Sequence, residues 1–262
     1  MKNNTFEGPF DKIGLSGHQP SLLPISEATL SFLYNQTKEI VGRMIDYKEL
    51  RMIYACAMKT VKTKFEILNT EFNLQYHRNP ISSIQTRIKS TASIVQKLNK
   101  LDKPLNIDSI DENINDIAGV RVVCSYIDDI FTVADAFLRQ DDVILISKKD
   151  YITTPKPNGY RSLHLIVQVP VFLYEKRVDI KVEVQIRTIA MDFWATLEHQ
   201  LRYKSNNLEI DDLVDELKIC AETINETDRK MLELREKIEE MAEVTPESEL
   251  VERFSKFDMP IE

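Results

Sequence analysis

Lys181-Val182-Glu183-Val184-Gln185-Ile186-Arg187 alternates polar and apolar β-branched residues without a break. Successive side chains of a strand point to opposite faces. Val182, Val184 and Ile186 therefore line one face, and Lys181, Glu183, Gln185 and Arg187 line the other. The run reads as the end of a strand spanning Arg177 to Arg187. Taken alone, its charged face is the wet side of a one-sided sheet, which is common where strands are antiparallel.

Upstream, Val143 to Ser147 and Ser162 to Val171 read as further strands, and Ile117 to Tyr126, nearly all apolar, as a buried one. Asp128 to Arg139 reads as a short helix, and another is expected from Thr188 past Trp194 to about Lys204. Before the sheet, Leu30, Leu33, Ile40 and Met44, then Tyr54, Ala57, Val61, Phe65, Leu68 and Phe72, recur at helical spacing until Pro80 ends the region. Ser82 or Ser83 is then placed to cap a helix carrying Ile84, Ile88 and Leu98 on one side, with Arg87 and Lys89 nearby. Helices before, between and after a largely buried sheet indicate an α/β or α+β domain. Three regions are expected: a flexible arm over 1–26, a central domain over 27–204, and a helical extension over 205–262.

Charge separates the last two. Residues 205–262 carry 18 Asp and Glu against 7 Lys and Arg, whereas residues 1–204 carry 24 against 27, within a chain of net charge −8. Anion-binding chemistry belongs in the first part; nucleic acid as the main partner is disfavoured, and the acidic end reads as a solvated helical face. That helix has a seam at Leu213, Leu217, Cys220, Ile224, Thr227, Met231, Leu234, Ile238 and Met241, alternating spacings of four and three. Two uses stay open for it: packing against the N-terminal helices, or a subunit interface. No apolar run approaches a membrane span, and no signal peptide is evident at the N-terminus. Cys56, Cys124 and Cys220 are far apart and odd in number, as in a cytoplasmic protein without disulfides.

Six glycines leave no glycine-rich phosphate loop, so Arg, Lys and a metal must supply any positive field. Asp116-Ile117-Ala118-Gly119-Val120-Arg121 puts an acid before an apolar strand and an arginine inside it. Such an arginine needs a carboxylate or phosphate partner. It is either a structural ion pair, or an acid for a metal beside an arginine for a nucleotide. Lys149 to His164, with two prolines and an Asn-Gly turn, is a loop between strands that gathers basic groups around Tyr160. A ring among cations is what stacking on a base near phosphates requires.

These strings, namely Asp116–Arg121, Lys149–Ile152, Lys156–His164, Glu183–Thr188, Met191–Ala195 and Glu198-His199, resemble in order and spacing the synthetase domain of the RelA/SpoT family. With no hydrolase or regulatory domain beside it, the chain looks like a small alarmone synthetase. Asn79-Pro80-Ile81 and Pro155–His164 look most like the RelP branch. The resemblance implies a nucleotidyltransferase-like mixed sheet flanked by helices. It implies pyrophosphate transfer from ATP to the 3′-hydroxyl of GDP or GTP with Mg²⁺, giving ppGpp or pppGpp for the stringent response. It assigns Asp116 and Glu183 to the metal, with Glu183 also taking the acceptor proton. Ser83, Arg87, Lys89, Arg121 and Lys149 are assigned to ATP. Lys156, Tyr160, His164 and Gln185 are assigned to the acceptor, with Tyr160 on the guanine. The branch's tetramers would give the seam a use. His77-Arg78-Asn79 departs from the usual basic pair, with Arg78 as the candidate substitute, and Ser147 stands where an arginine is frequent. The competing reading is a nucleotide-binding regulator with weak catalysis, against which the retained carboxylate pair argues.

Overall fold

The computed structural model describes residues 27–76, 78–204 and 211–242. The arm expected over 1–26, His77 and the tail after Pro246 lie outside the described residues, as do the side chains of Leu30, Leu33, Ile40 and Leu213. The elements run α1 (Glu27–Tyr76), β1 (Ile81–Ile88), α2 (Thr91–Lys100), α3 (Ile107–Asn113), β2 (Ala118–Cys124), α4 (Ile127–Leu138), β3 (Ile144–Asp150), β4 (Leu163–Phe172), β5 (Arg177–Thr188), α5 (Ile189–Lys204) and α6 (Asp211–Ala242). Residues 1–46 and 47–262 form two units; the second holds the sheet.

The sheet is mixed, in the order β1-β2-β5-β4-β3. Only β2 and β5 are parallel; the other pairs are antiparallel. Val182, Val184 and Ile186 are fully buried, as the alternation requires, and face the core with Val120, Val122, Leu165 and Val167. Tyr54, Ala57, Val61, Phe65, Leu68 and Phe72 of α1 are all buried in the same core. Phe65 stacks on Phe137 of α4 with ring centroids 4.3 Å apart. Helical layers thus dry one side of the sheet; on the other, Lys181, Glu183 and Gln185 are half-buried and Arg187 is covered.

One element differs from expectation. Residues 81–88 form an antiparallel edge strand, so Ser82 and Ser83 cap no helix. A register shift between Ile81 and Ser83 marks a bulge there. The extra residue turns Ile81 and Ile84 to the same face, so a strand imitates the three-residue spacing of a helix. The real helix α2 starts later, where the Ser90 side chain accepts a hydrogen bond from Ser93 N at 3.2 Å.

Within the second unit, helix α6 packs on α5. Leu217 and Ile224 meet Trp194, Ala195 and Ala221, and Arg235 grips Asp128 of α4 through its two terminal nitrogens at 3.1 and 2.8 Å. The seam therefore divides. Its first half packs inward in part, whereas Cys220, Thr227, Met231, Leu234, Ile238 and Met241 are exposed.

Candidate active site

Strand register assembles the site. Arg87, Gly119 and Glu183 stand side by side on β1, β2 and β5, and Gln85, Arg121, Gln185, His164 and Lys149 form the next row across the whole sheet. Residues in register on one face share a surface, and here it is the face opposite the apolar core. Gly119 contributes no side chain between Arg87 and Glu183, so the sheet floor is bare there. Above it lies a cleft of about 440 Å³ lined by Arg87, Lys89, Asp116, Arg121, Glu183 and Gln185 together with Gln85 and Thr86.

Asp116 lies just before β2. Lys89 Nζ donates to one of its oxygens at 2.7 Å and Lys97 Nζ to the other at 2.8 Å. Burial alone would raise the pKa of this carboxyl, but the two lysines outweigh it and hold the group below the usual aspartate range. Glu183 accepts from Gln185 Nε2 at 2.9 Å and faces His164 Nδ1 at 3.6 Å. It too is pushed up by burial and by Asp116 but brought below the usual glutamate range by His164 and Gln185. Both carboxylates are therefore ionised at neutral pH.

The loop between β3 and β4 forms the far wall. Asp150 accepts from Ile152 N, Thr153 N and the Thr153 hydroxyl at 2.7–3.0 Å and so closes its first turn. Lys156 Nζ lies 4.7 Å above the Tyr151 ring and 4.8 Å above that of Tyr160. The Tyr160 hydroxyl accepts from Arg187 Nη2 at 3.0 Å and meets His164 Nε2 at 2.8 Å. In the tautomer with its hydrogen on Nδ1, His164 directs that hydrogen towards Glu183 and Nε2 accepts the phenolic hydrogen. Arg187 also donates to Gln185 Oε1 at 2.6 Å and pairs with Asp192 at 3.3 Å, and Arg121 pairs with the same Asp192 oxygen at 3.2 Å. Burial lowers the pKa of Arg187, which is 2% exposed, yet a guanidinium stays charged at any working pH.

The structure thus brings together Arg87, Lys89, Asp116, Arg121, Glu183 and Gln185 in the cleft, with Lys156, Tyr160 and His164 beside it. Two expected residues stand apart. Ser83 is on the correct face of β1, opposite Val123, but one row beyond the cleft. Lys149 lies opposite His164 on the outer strand β3, about 14 Å from Arg121 at ordinary strand spacing. Arg78, the candidate substitute for the basic pair, is committed to Asp129 of α4 at 2.6 Å and does not line the cleft. Sequence reasoning missed Lys97 and Asp192. The pairing of Lys97 with Asp116 depends on where α2 begins, which the bulge concealed. Arg187 was placed on the polar face, but nothing in the alternation marked it as buried.

The chemistry of this cleft is that of a polyanion site: cations on a bare sheet floor around two ionised carboxylates. Comparison with known proteins gives the chain its family. The model of the region found in RelA/SpoT proteins matches residues 86–208. GTP pyrophosphokinase YwaC of Bacillus subtilis (strain 168) is 45% identical over 196 residues, covering 75% of this chain and 93% of that protein. The crystal structure of small alarmone synthetase 2 from Bacillus subtilis matches with a TM-score of 0.67 at 46% identity, over 73% of this chain and 99% of that one. Small alarmone synthetase 1 from the same organism, bound to its product pppGpp, matches with a TM-score of 0.68 at 32% identity, over 74% and 98%. The chain belongs to the RelA/SpoT family.

Proposed function

We propose that the protein is a GTP pyrophosphokinase that moves the β,γ-pyrophosphoryl group of ATP to the 3′-hydroxyl of GDP or GTP. The observation that carries this reading is the placement of two ionised carboxylates, Asp116 and Glu183, on a sheet floor shared with Arg87, Lys89 and Arg121. Transfer of this kind depends on positioning and charge neutralisation more than on covalent catalysis.

Arg87, Lys89 and Arg121 stand on the β1–β2 side of the cleft and hold the donor phosphates. Arg87 is exposed and has no ion-pair partner among the described residues. The acceptor enters from the Tyr160 side. Its guanine stacks on the Tyr160 ring, which requires the Lys156 ammonium to leave that face; the side chain is flexible, and the acceptor's 5′-phosphates offer it a better partner. Gln185 and His164 flank Glu183 and keep its carboxylate turned to the acceptor ribose. Glu183 takes the proton of the 3′-hydroxyl as that oxygen bonds to the β-phosphorus of ATP. The bond from the β-phosphorus to the α,β-bridging oxygen breaks, and AMP leaves with that oxygen.

Asp116 and Glu183 also fit Mg²⁺. They are hard oxygen donors, no cluster of three or more ligating side chains exists among the described residues, and Mg²⁺ usually takes one or two carboxylates with phosphates and water. When bound there, Mg²⁺ supplies neutralisation of the transferring phosphates. The exposed Met231, Leu234, Ile238 and Met241 support assembly of copies into a tetramer, and three free cysteines suit a cytoplasmic setting. No helix among the described residues is long and apolar enough to cross a membrane.

The test is acceptor-dependent release of AMP. Protein, Mg²⁺ and ATP are incubated with GDP, with GTP or with neither. AMP that forms only with a guanosine acceptor supports the proposal, and equal AMP without one refutes it.

A further inference from the structure

Tyr160 is held by a loop whose neighbours are anchored outside the cleft. Gly159 has φ +85°, a left-handed conformation, and lies so close to α6 that a Cβ on it would stand 2.5 Å from Ala221 Cβ. Arg161, on the other side of Tyr160, is 8% exposed. Its guanidinium donates to Gly159 O at 3.1 Å, to Ala221 O at 3.5 Å and to Glu222 Oε2 at 3.0 Å. One side chain thus ties the loop to itself and to α6. Two further contacts fix α6 to α5 and to the end of β5: Trp194 Nε1 donates to Leu217 O at 2.9 Å, and Thr188 Oγ1 donates to Asp228 at 2.5 Å. None of these groups lines the cleft.

We infer that Arg161 is a positioning residue for the acceptor and that α6, through it, sets the height and tilt of the Tyr160 ring. The inference rests on the proposed pyrophosphokinase reading and deepens it. A stacking platform works only if its plane is fixed. The loop around Tyr160 has no strand pairing of its own between Lys156 and Ser162 beyond the turn closed by Gly159 N to Lys156 O at 2.8 Å and Lys156 N to Tyr160 O at 3.1 Å. The ring's hydroxyl is held by Arg187 and His164, and the loop by Asn158 Nδ2, which donates to Glu198 at 3.1 Å; the buried Arg161 fork adds the tie to α6, and an arginine at such a site is not replaceable by a point charge. Among the described residues the donor side, built on β1 and β2, makes no hydrogen bond or ion pair with Arg161 or α6; Arg121 pairs instead with Asp192 of α5. Loosening α6 should therefore weaken acceptor binding and spare ATP.

The experiment compares Arg161→Ala, Arg161→Lys and Glu222→Gln with the full-length wild type in steady-state assays that vary GDP and ATP separately. The emission of Trp194, the only tryptophan, reports the α6 contact. Loss of several charge-assisted hydrogen bonds predicts that Arg161→Ala raises the KM for GDP about tenfold or more, leaves the KM for ATP within about threefold, and shifts Trp194 emission to the red. Arg161→Lys should recover part of the loss, and Glu222→Gln should move in the same direction by less. Unchanged GDP affinity with a shifted Trp194 spectrum would overturn the inference, as would an equal rise in both KM values. Should Arg161→Ala not fold, Glu222→Gln decides, because that side chain is 51% exposed; an unaltered KM for GDP then sinks the idea. A wild type that binds no guanine nucleotide would refute the proposed function itself, and this inference with it.

Discussion

Replacing Glu183 with glutamine changes one oxygen to an amide nitrogen and removes one charge. The variant keeps an acceptor for Gln185 Nε2, which binds Glu183 at 2.9 Å, and its volume is nearly the same. What it loses is the proton acceptor and one of two carboxylates in the cleft. A positioned general base contributes about 10²–10⁴-fold, and a removed transition-state electrostatic contact costs a further ~10²–10³-fold. The two effects share one group and do not add fully, so kcat should fall about 10³-fold or more. The fold should survive. Loss of the favourable contacts from His164 and Gln185 is only partly offset by relief of the repulsion from Asp116 and of the burial of a charge, so the melting temperature should fall, by less than about 3 °C. The assay follows AMP formation under saturating GDP and ATP, with circular dichroism on the same sample. A variant that retains kcat within about tenfold of wild type while folded would refute the role given to Glu183. The sign of its titration adds a check. Glu183 titrates below its ordinary value when folded, so its stabilising contribution is present above the ordinary glutamate pKa and is lost only as pH falls through the depressed one. The acid limb of the rate from this group should lie below the ordinary glutamate range.

Other consequences follow from single residues. Tyr160→Ala should raise the KM for the acceptor by about 5- to 150-fold, the equivalent of ~1–3 kcal/mol of base stacking, with less effect on ATP; Tyr160→Phe, which keeps the ring and loses the links to His164 and Arg187, should fall between, and equal effects on both substrates would count against the stacking role. Gly159→Ala combines a left-handed backbone with a Cβ placed 2.5 Å from Ala221 Cβ, and should cost about 2–4 kcal/mol in a denaturant titration; a loss below half a unit would show that the loop is freer than described. Asp228 is 5% exposed, and its hydrogen bond among the described residues comes from Thr188. Burial raises its pKa, opposed by that bond. Its stabilising contribution is therefore full below the ordinary aspartate value and is lost as pH rises through the raised one. Asp228→Asn keeps an acceptor for Thr188 and removes the buried charge. It should raise the melting temperature at neutral pH by about 2–4 °C, with the gap closing as pH is lowered; an unchanged or lower melting temperature at neutral pH would contradict this.

Much of this was legible in the sequence because periodicity reports burial. The alternation of β5 put Glu183 and Gln185 on one face and three apolar residues on the other, and the structure agrees. The spacing of Tyr54 to Phe72 likewise named the buried stripe of α1. Periodicity misled where geometry departs from regularity. A single bulge at Ile81–Ser83 gave β1 a helical signature, and with it hid the start of α2 and the pairing of Lys97 with Asp116. Helix α3, seven residues capped by Asn106, is too short to show a period at all. Arg187 escaped because its burial comes from α5, which begins two residues later and folds back to bring Asp192 against it. Such tertiary returns leave no mark on the local pattern. The cations that line the cleft lie within residues 1–204, but the charge imbalance gave no sign that the acidic helix α6 reaches the Tyr160 loop through Arg161.

The central claim is the site of transfer, the 3′-hydroxyl of the guanosine acceptor, and one chemical measurement addresses it directly. Protein is incubated with Mg²⁺, GDP and γ-labelled ATP, and the labelled guanosine product is isolated and treated with periodate, which cleaves a free 2′,3′-diol. A pyrophosphoryl group on the 3′-oxygen blocks that cleavage, so the account predicts a periodate-resistant labelled product formed together with AMP. A labelled product that periodate cleaves, or label released only as free phosphate, would contradict it.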